Sequence, residues 1–497
     1  MTARPAGLVL ALALLAGRAA AQDRPPEGGT SPPDRPAESD LFGAPPAGQG
    51  EPAPPGARGP GPQERLFGRL RETENPLAIG GQLYLRAFAG AREGQAPSAW
   101  QLTAPSLVDG FLDARPSERV RGFLLARMFY DPTIDPNAPG PFGTPPPTNP
   151  QVLLDQVWIR FDAARTAFFT VGKQHVKWGT GRFWNPTDYL HDVRRDPLAV
   201  FDARTGTTMV RVDVPWERRG WNFYGMAILE PLRASADTGA LAPVPAQGAA
   251  ATTPSGTVGG VGGALRAEVV LGPSEIGAGA VLQRGHQPRF ALDASAGIGE
   301  LDVYGEAALE TGSEVPLWRE RATATASTPL LDRFETYDPA GLRPAVTVGL
   351  RWAHRYSDED SFELGGEYFY NRNGYRDTSI YPWLIVNNAF TPFYVGLHYA
   401  GAYASLPNPG PWNHTTFVLS TLANLSDRSF ITRLDHSVLL LTYLRLESFV
   451  QVHYGAPGGE FRLGISVPAQ EVGGRTTPAV TVAPAVVDVG LAVRVSL

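Results

Sequence analysis

The stretch VVDVGLAVRVSL, residues 486–497, decides the fold. Successive side chains of a strand point to opposite faces. Val487, Val489, Leu491, Val493, Val495 and Leu497 therefore share one face, while Asp488, Gly490, Ala492, Arg494 and Ser496 share the other. The same period recurs upstream. Leu301, Val303, Gly305, Ala307 and Leu309 alternate with Asp302, Tyr304, Glu306 and Glu310, and Val346, Val348, Leu350 and Trp352 alternate with Thr347, Gly349 and Arg351. Phe362, Leu364, Gly366, Tyr368 and Tyr370 oppose Glu363, Glu367 and Asn371. From Gly80 to Leu497 the chain reads as a succession of half-apolar strands. Its 55 glycines and its aromatic content of 10% suit a β-rich protein with many turns.

Alternation alone fits a soluble sandwich as well as a barrel. Segments near ten residues match a tilted strand crossing hydrocarbon, and aromatics fall near segment ends at Tyr130, Trp216, Trp221 and Tyr454, where a membrane interface favours them. Loop lengths give the second argument. Eighteen strands are expected, with sixteen to twenty as the range; the second is placed over 99–110 and the fourteenth over 392–404. The long connections 131–150, 177–204, 231–262, 312–344 and 372–391 then fall at one end of the sheet. The short ones 162–166, 215–219, 272–274, 298–299 and 356–360 fall at the other. A barrel with short turns inside the cell envelope and long loops outside has this parity, and it puts the N-terminus in the periplasm. Glu460 to Val467 alternates too, but as a spanning strand it would break the parity, so it is expected in an external hairpin. A barrel of this size encloses a wet lumen.

The opening residues supply the route. Arg4, the apolar run Gly7 to Gly17 and the small residues Ala19-Ala20-Ala21 form a secretory signal peptide over 1–21, cleaved before Gln22. The run is too short to span a bilayer, and no cysteine stands after it for lipidation. Residues 22–79 read as a disordered, Pro-rich periplasmic spacer: twelve prolines lie between Gln22 and Pro62, with a short helix expected over 63–74. Residues 80–497 are the barrel. The sequence holds no run of about eighteen apolar residues, so the membrane-spanning form open to it is a barrel. The absence of cysteine excludes disulfides and thiol chemistry, and a net charge of −6 with both signs dispersed points away from nucleic acid.

Two features carry a resemblance. The alternating C-terminal strand 486–497 resembles the terminal strand that outer-membrane barrel proteins present to their assembly machinery, although those usually end in Phe and this one ends in Leu497. Gly172-Lys173-Gln174, Trp178-Gly179 and Asn185-Pro186-Thr187-Asp188 together resemble a signature of poorly characterised Gram-negative outer-membrane barrels with porin-like architecture. The resemblance is tightest over these twenty or so residues and implies location in the outer membrane. By strand count the motif lies between strands five and six, where general porins fold their third external loop inward as a constriction.

The candidate site comes from both readings. In the loop, Trp178, Phe183, Trp184 and Tyr189 are expected to pack against the wall, Asn185 to Asp188 to form a turn with Asp188 capping the next segment, and Lys177, Arg182, Asp192, Arg194, Arg195 and Asp196 to face the channel. The motif is either such an eyelet or a structural clamp. On the wall, the face opposite the apolar one carries Arg86, Arg121, Arg127, Arg160, Arg211, Arg266, Arg351 and Arg494 with Glu306, Glu363 and Glu367. These form either stiffening ion pairs or a charged, hydrated lining. The eight histidines show no close ligand spacing, no Gly-x-Ser-x-Gly elbow is present, and Gly259 to Gly263 is a flexible loop, so neither metal, cofactor nor enzymatic chemistry is expected. The expected function is a porin-like channel for passive diffusion of small solutes, with 177–204 as its constriction. The alternatives are a structural or surface-assembly barrel with a shut lumen whose loops bind polysaccharide or protein, and a lipid-acting interfacial enzyme. Expected partners are outer-membrane lipid, the barrel-assembly machinery and an unidentified solute.

Overall fold

The computed structural model describes residues 76–497 apart from 136–147, 192, 201, 203, 231–260, 314–315, 326–327, 329, 359, 388, 468–469, 473–474 and 478–479. The signal peptide, most of the spacer, the helix expected over 63–74 and the candidate residue Asp192 lie outside the described residues. Eighteen antiparallel strands close into a barrel. They are β1 Leu77–Arg92, β2 Ser106–Ser117, β3 Val120–Tyr130, β4 Gln151–Ala163, β5 Ala167–Gln174, β6 Thr207–Trp216, β7 Trp221–Ile228, β8 Gly262–Leu271 and β9 Ser274–Leu282. The second half comprises β10 Arg289–Ile298, β11 Leu301–Thr311, β12 Leu342–Arg355, β13 Ser361–Asn371, β14 His398–Pro407, β15 Thr415–Asn424, β16 Ser429–Leu441, β17 Leu444–Gly455 and β18 Ala485–Ser496. Each strand pairs with its neighbours in sequence. The decisive segment closes the ring: in β18, Val493 pairs with Leu446 of β17 on one side and Leu85 of β1 on the other.

Pairing in register puts the apolar set on the outside. Leu85, Val108, Val152, Ile159, Phe223, Leu265, Leu292, Val348, Leu364, Leu434 and Leu491 are all exposed on the outer wall. An apolar belt contributed by strands all round a barrel exceeds any patch a soluble monomer leaves in water, so its natural solvent is lipid. Tyr130 and Tyr454 lie outside at the long-loop end; Trp216, edge-to-face with Trp221, lies at the short-turn end.

Two strand positions differ from the sequence expectation. Strand β2 starts at Ser106, because Pro97–Ala99 forms a 3-10 turn, Gln101–Thr103 pairs briefly with β1, and Pro105 has no N–H for the ladder. Strand β14 starts at His398. Val395, which read as part of its beginning, is buried in an apolar cluster with Phe334, Tyr381, Trp383, Leu384 and Phe390 over the long-loop end. Glu460 to Val467 enters a hairpin outside the barrel sheet, as expected: after a 3-10 turn over Glu460–Arg462, Ile465–Val467 pairs antiparallel with Val480–Val482.

On the inner wall, charge is paired both across and along strands. Arg127 bonds Asp109 at 2.8 Å, Arg121 bonds Asp113 at 2.9 Å, and Arg211 bonds Asp213 at 2.8 Å. Arg266 joins Glu268 and Asp293, Arg351 joins Asp302, and Arg494 joins Glu447 at 2.7 Å. In β4, Gln156 pairs with Leu125 but Leu154 pairs with Ala126, so Asp155 is the extra residue of a bulge. A bulge re-aims the side chain it carries. Both Asp155 and its neighbour Gln156 are buried in the interior.

Candidate functional site

The connection from β5 to β6, residues 175–206, packs inside the barrel. Its aromatic residues set its course. Trp178 is buried with Met209, Met226, Val281 and Ala291, and the Arg266 guanidinium stands 5.5 Å above its ring. Trp184 has no exposed surface; it stacks on Phe369, touches Tyr399, and donates its indole N–H to the Phe393 carbonyl at 2.9 Å. Phe183 presses on β14 at Gly401, where a Cβ would come within 2.6 Å of its ring. Gly179 turns the chain at φ +86°, a conformation that suits glycine, and its hydrogen faces the Glu306 carboxylate.

Two wall glutamates hold the loop by its backbone. Glu367 of β13 accepts three consecutive amides, Arg182 at 2.7 Å, Phe183 at 3.1 Å and Trp184 at 2.7 Å, together with the Tyr304 hydroxyl at 2.9 Å. Successive amides turned on one anion form a strong charge-assisted cradle. Glu306 of β11 accepts the Gly181 amide at 3.2 Å, the Asn185 side-chain N–H at 3.3 Å and the Thr187 hydroxyl. Glu306 and Glu367, read from the sequence as lumen lining, are thus covered fasteners of the loop: both are buried.

The far side of the loop is tied by a chain of buried ionisable groups. Asp155 bonds His175 Nε2 at 2.8 Å, His175 Nδ1 meets His191 Nε2 at 3.0 Å, and His191 Nδ1 meets Asp188 at 3.0 Å. Arg204 then bridges Asp188 at 2.9 Å and Asp202 at 2.6 Å. Three imidazole links between two carboxylates require three N–H protons, and two neutral imidazoles hold two. Burial, reinforced by Arg204, pushes His191 below its ordinary range despite Asp188. Burial opposes the Asp188 charge, but His191 and Arg204 outweigh it and hold that carboxyl well below the usual range. Asp188 is therefore an ion-pair and imidazole partner, not the cap of the next segment. The meeting of His175 and His191 was invisible at sixteen residues' separation. Among the described residues no group of three or more His, Cys, Asp or Glu is placed to hold a metal ion.

The remaining candidates divide by position. Lys177 and Arg182 project from the docked stretch, with the Arg182 guanidinium 3.7 Å above the Tyr403 ring. Arg194 donates to the Pro186 carbonyl at 3.2 Å and Arg195 to the Arg182 carbonyl at 3.3 Å. Asn185 is buried within the docked arm, facing Glu306. On the wall, Arg86 lines a cavity, Arg160 lies over Phe168, and Glu363 accepts from Tyr403 and faces Arg182 and Arg351. That cavity, about 660 Å³, lies between the loop and β1 with β15–β18; a smaller one, about 150 Å³, lies toward the long-loop end. Arg194 and Thr391 line both.

Neither a protein-family model nor a curated protein sequence matches the chain. Among solved structures it is similar to a triple mutant of the Rhodopseudomonas blastica porin at 8% identity, covering 85% of this chain and all of that one with a TM-score of 0.39. Pseudomonas putida OprB is similar at 9% identity over 87% of this chain and 97% of its own, TM-score 0.45. Pseudomonas aeruginosa OccK11 is similar at 10% identity over 84% and 96%, TM-score 0.45. At these values the barrel rests on the chain's own strand pairing.

Proposed function

We propose that the chain is a porin-like outer-membrane channel for passive diffusion of small hydrophilic or amphipathic solutes, with its long loops outside, its N-terminus in the periplasm and the loop 175–206 as constriction. One observation carries this reading. The loop is fastened inside the lumen along one arm, while its other arm borders a cavity of about 660 Å³ that shares Arg194 and Thr391 with a smaller one toward the long-loop end. A loop that merely plugged the barrel would need no such open flank. The apolar belt supplies the membrane, and the paired wall charges supply a stiff, hydrated interior.

The reading is tested by conductance of the detergent-folded protein in planar bilayers. Discrete openings are expected, and replacing Val193–Val200 with a short Gly-Ser linker raises their size about twofold, as widening a narrow pore does. Correctly folded protein that never opens overturns it. The apolar cluster over the long-loop end, built on Tyr381, Trp383 and Phe390, favours the second reading, a surface-assembly barrel with a shut lumen. A silent channel with polysaccharide bound at its loops is the result that reading requires.

A further inference from the structure

We propose that the 660 Å³ cavity is a binding passage for small organic anions that carry an apolar face, selected by Arg194 and Arg195 on its loop side. This rests on the channel reading and names its solute class. Among the described residues lining the cavity are seven arginines against four carboxylates, in a chain whose net charge is −6. The surplus is therefore a local property of the passage and not of composition.

The carboxylates are occupied. Asp202 is held by Arg204, Asp435 by Arg433 at 2.7 Å, Glu447 by Arg494 and the Tyr84 hydroxyl, and Asp196 accepts the Leu198 amide at 2.8 Å. Arg194 and Arg195 instead donate to main-chain carbonyls. A carbonyl orients a guanidinium without cancelling its charge; Arg195 shares its field with the adjacent Asp196, and the seven-to-four excess of arginine over carboxylate leaves a positive field in the lumen. Low-dielectric walls concentrate that field, which raises the local concentration of anions. Arg445 adds an exposed guanidinium from β17. The rest of the lining is apolar in patches: Phe88, Phe393, Phe449, Leu198 and Val418 face the same space. Guanidinium beside aromatic ring recognises a carboxylate attached to a ring or short chain better than a bare inorganic anion, since the planar fork binds the carboxylate and the ring removes apolar surface from water.

The test uses the full detergent-folded protein with benzoate as probe and acetate as the control lacking an apolar face. A salt gradient of KCl across a bilayer is expected to give a reversal potential of anionic sign, with chloride favoured over potassium about threefold. Benzoate is expected to lower the current at concentrations where acetate does not, and calorimetry shows it binding. R194Q/R195Q abolishes benzoate binding and moves the permeability ratio toward one while openings persist; R445Q, on a wall strand clear of the loop, shifts the ratio in the same direction. Openings with no anion preference and no benzoate binding overturn the inference and leave the channel intact. Benzoate binding by a protein that never opens overturns the channel and leaves the anion site standing.

Discussion

The two arms of the loop 175–206 differ in composition and in fate: the first carries four aromatic residues and the second none. The first, Val176 to His191, is buried: its aromatic rings enter the wall clusters, its amides end on Glu306 and Glu367, and its histidine completes a chain to Asp155. The second, Val193 to Val200, touches the wall lightly through Leu198 and presents Arg194 and Arg195 to open space. The difference teaches that the fastening and the selecting parts of a constriction are separable along a single loop. Stability is concentrated in one arm and solute contact in the other.

The largest effect expected is from Trp184→Ala, which empties a fully buried site and costs about 3–5 kcal/mol of unfolding free energy in detergent, with larger, noisier channel openings. Glu367→Ala strands three amides in the interior and costs about 2–4 kcal/mol; Glu367→Gln, which retains an acceptor, falls between it and the parent. Both are read by denaturant titration and single-channel size. If either left the openings unchanged, the first arm would not be the fastener. R194Q/R195Q sharpens the contrast from the other side: it shifts unfolding by no more than about 0.5 kcal/mol while changing selectivity. A large stability loss there would erase the distinction between the arms.

Acidity separates the docked arm from the outer loops with a smaller effect. His191 has a depressed folded-state value against an ordinary 6.5, so the unfolded chain binds protons first; the stability it supports is present above pH 6.5 and is lost as pH falls through its folded value. Glu460, under the outer cluster, behaves oppositely. Burial pushes its carboxyl up to about 8 in spite of hydrogen bonds from Tyr399, the Phe393 amide and Asn424. The folded state then holds the proton that the unfolded chain releases above about 4.5, so this contribution declines between about pH 4.5 and 8. Unfolding midpoints across about pH 5 to 9 are expected to fall at both ends, His191→Gln flattening the acid side and Glu460→Gln the alkaline side. A midpoint that rises on acidification below about 6.5 would contradict the histidine half.

Much of the barrel was legible because a strand's period of two needs no tertiary information. The faces of Val346 to Trp352 and of β18 are written in the residues, and the alternation of long and short connections supplied closure and the count of eighteen. The misplaced strands show where that logic stops. Pro392 to Leu397 is apolar enough for a strand, but Val395 enters an outer cluster formed by loops far apart in sequence, and Phe393 and Tyr394 pack against the aromatic cluster around Trp184. The site was less legible for the same reason. Glu306 and Glu367 sit at inward positions like any lumen carboxylate, and only the arrival of loop amides from residues 181–184 turns them into clasps. His175 and His191 meet because Asp155 is thrown inward by a bulge, a local irregularity that the period-two pattern hides.

Arg182 joins the two arms in one residue, and its division of labour has an evolutionary consequence. Its amide is what Glu367 grips, while its guanidinium, 43% exposed, lies over Tyr403 within 3.7 Å of Glu363. Every residue but proline brings the same amide to that grip. Drift at position 182 can therefore retune what passes, generation after generation, on a mount that does not move.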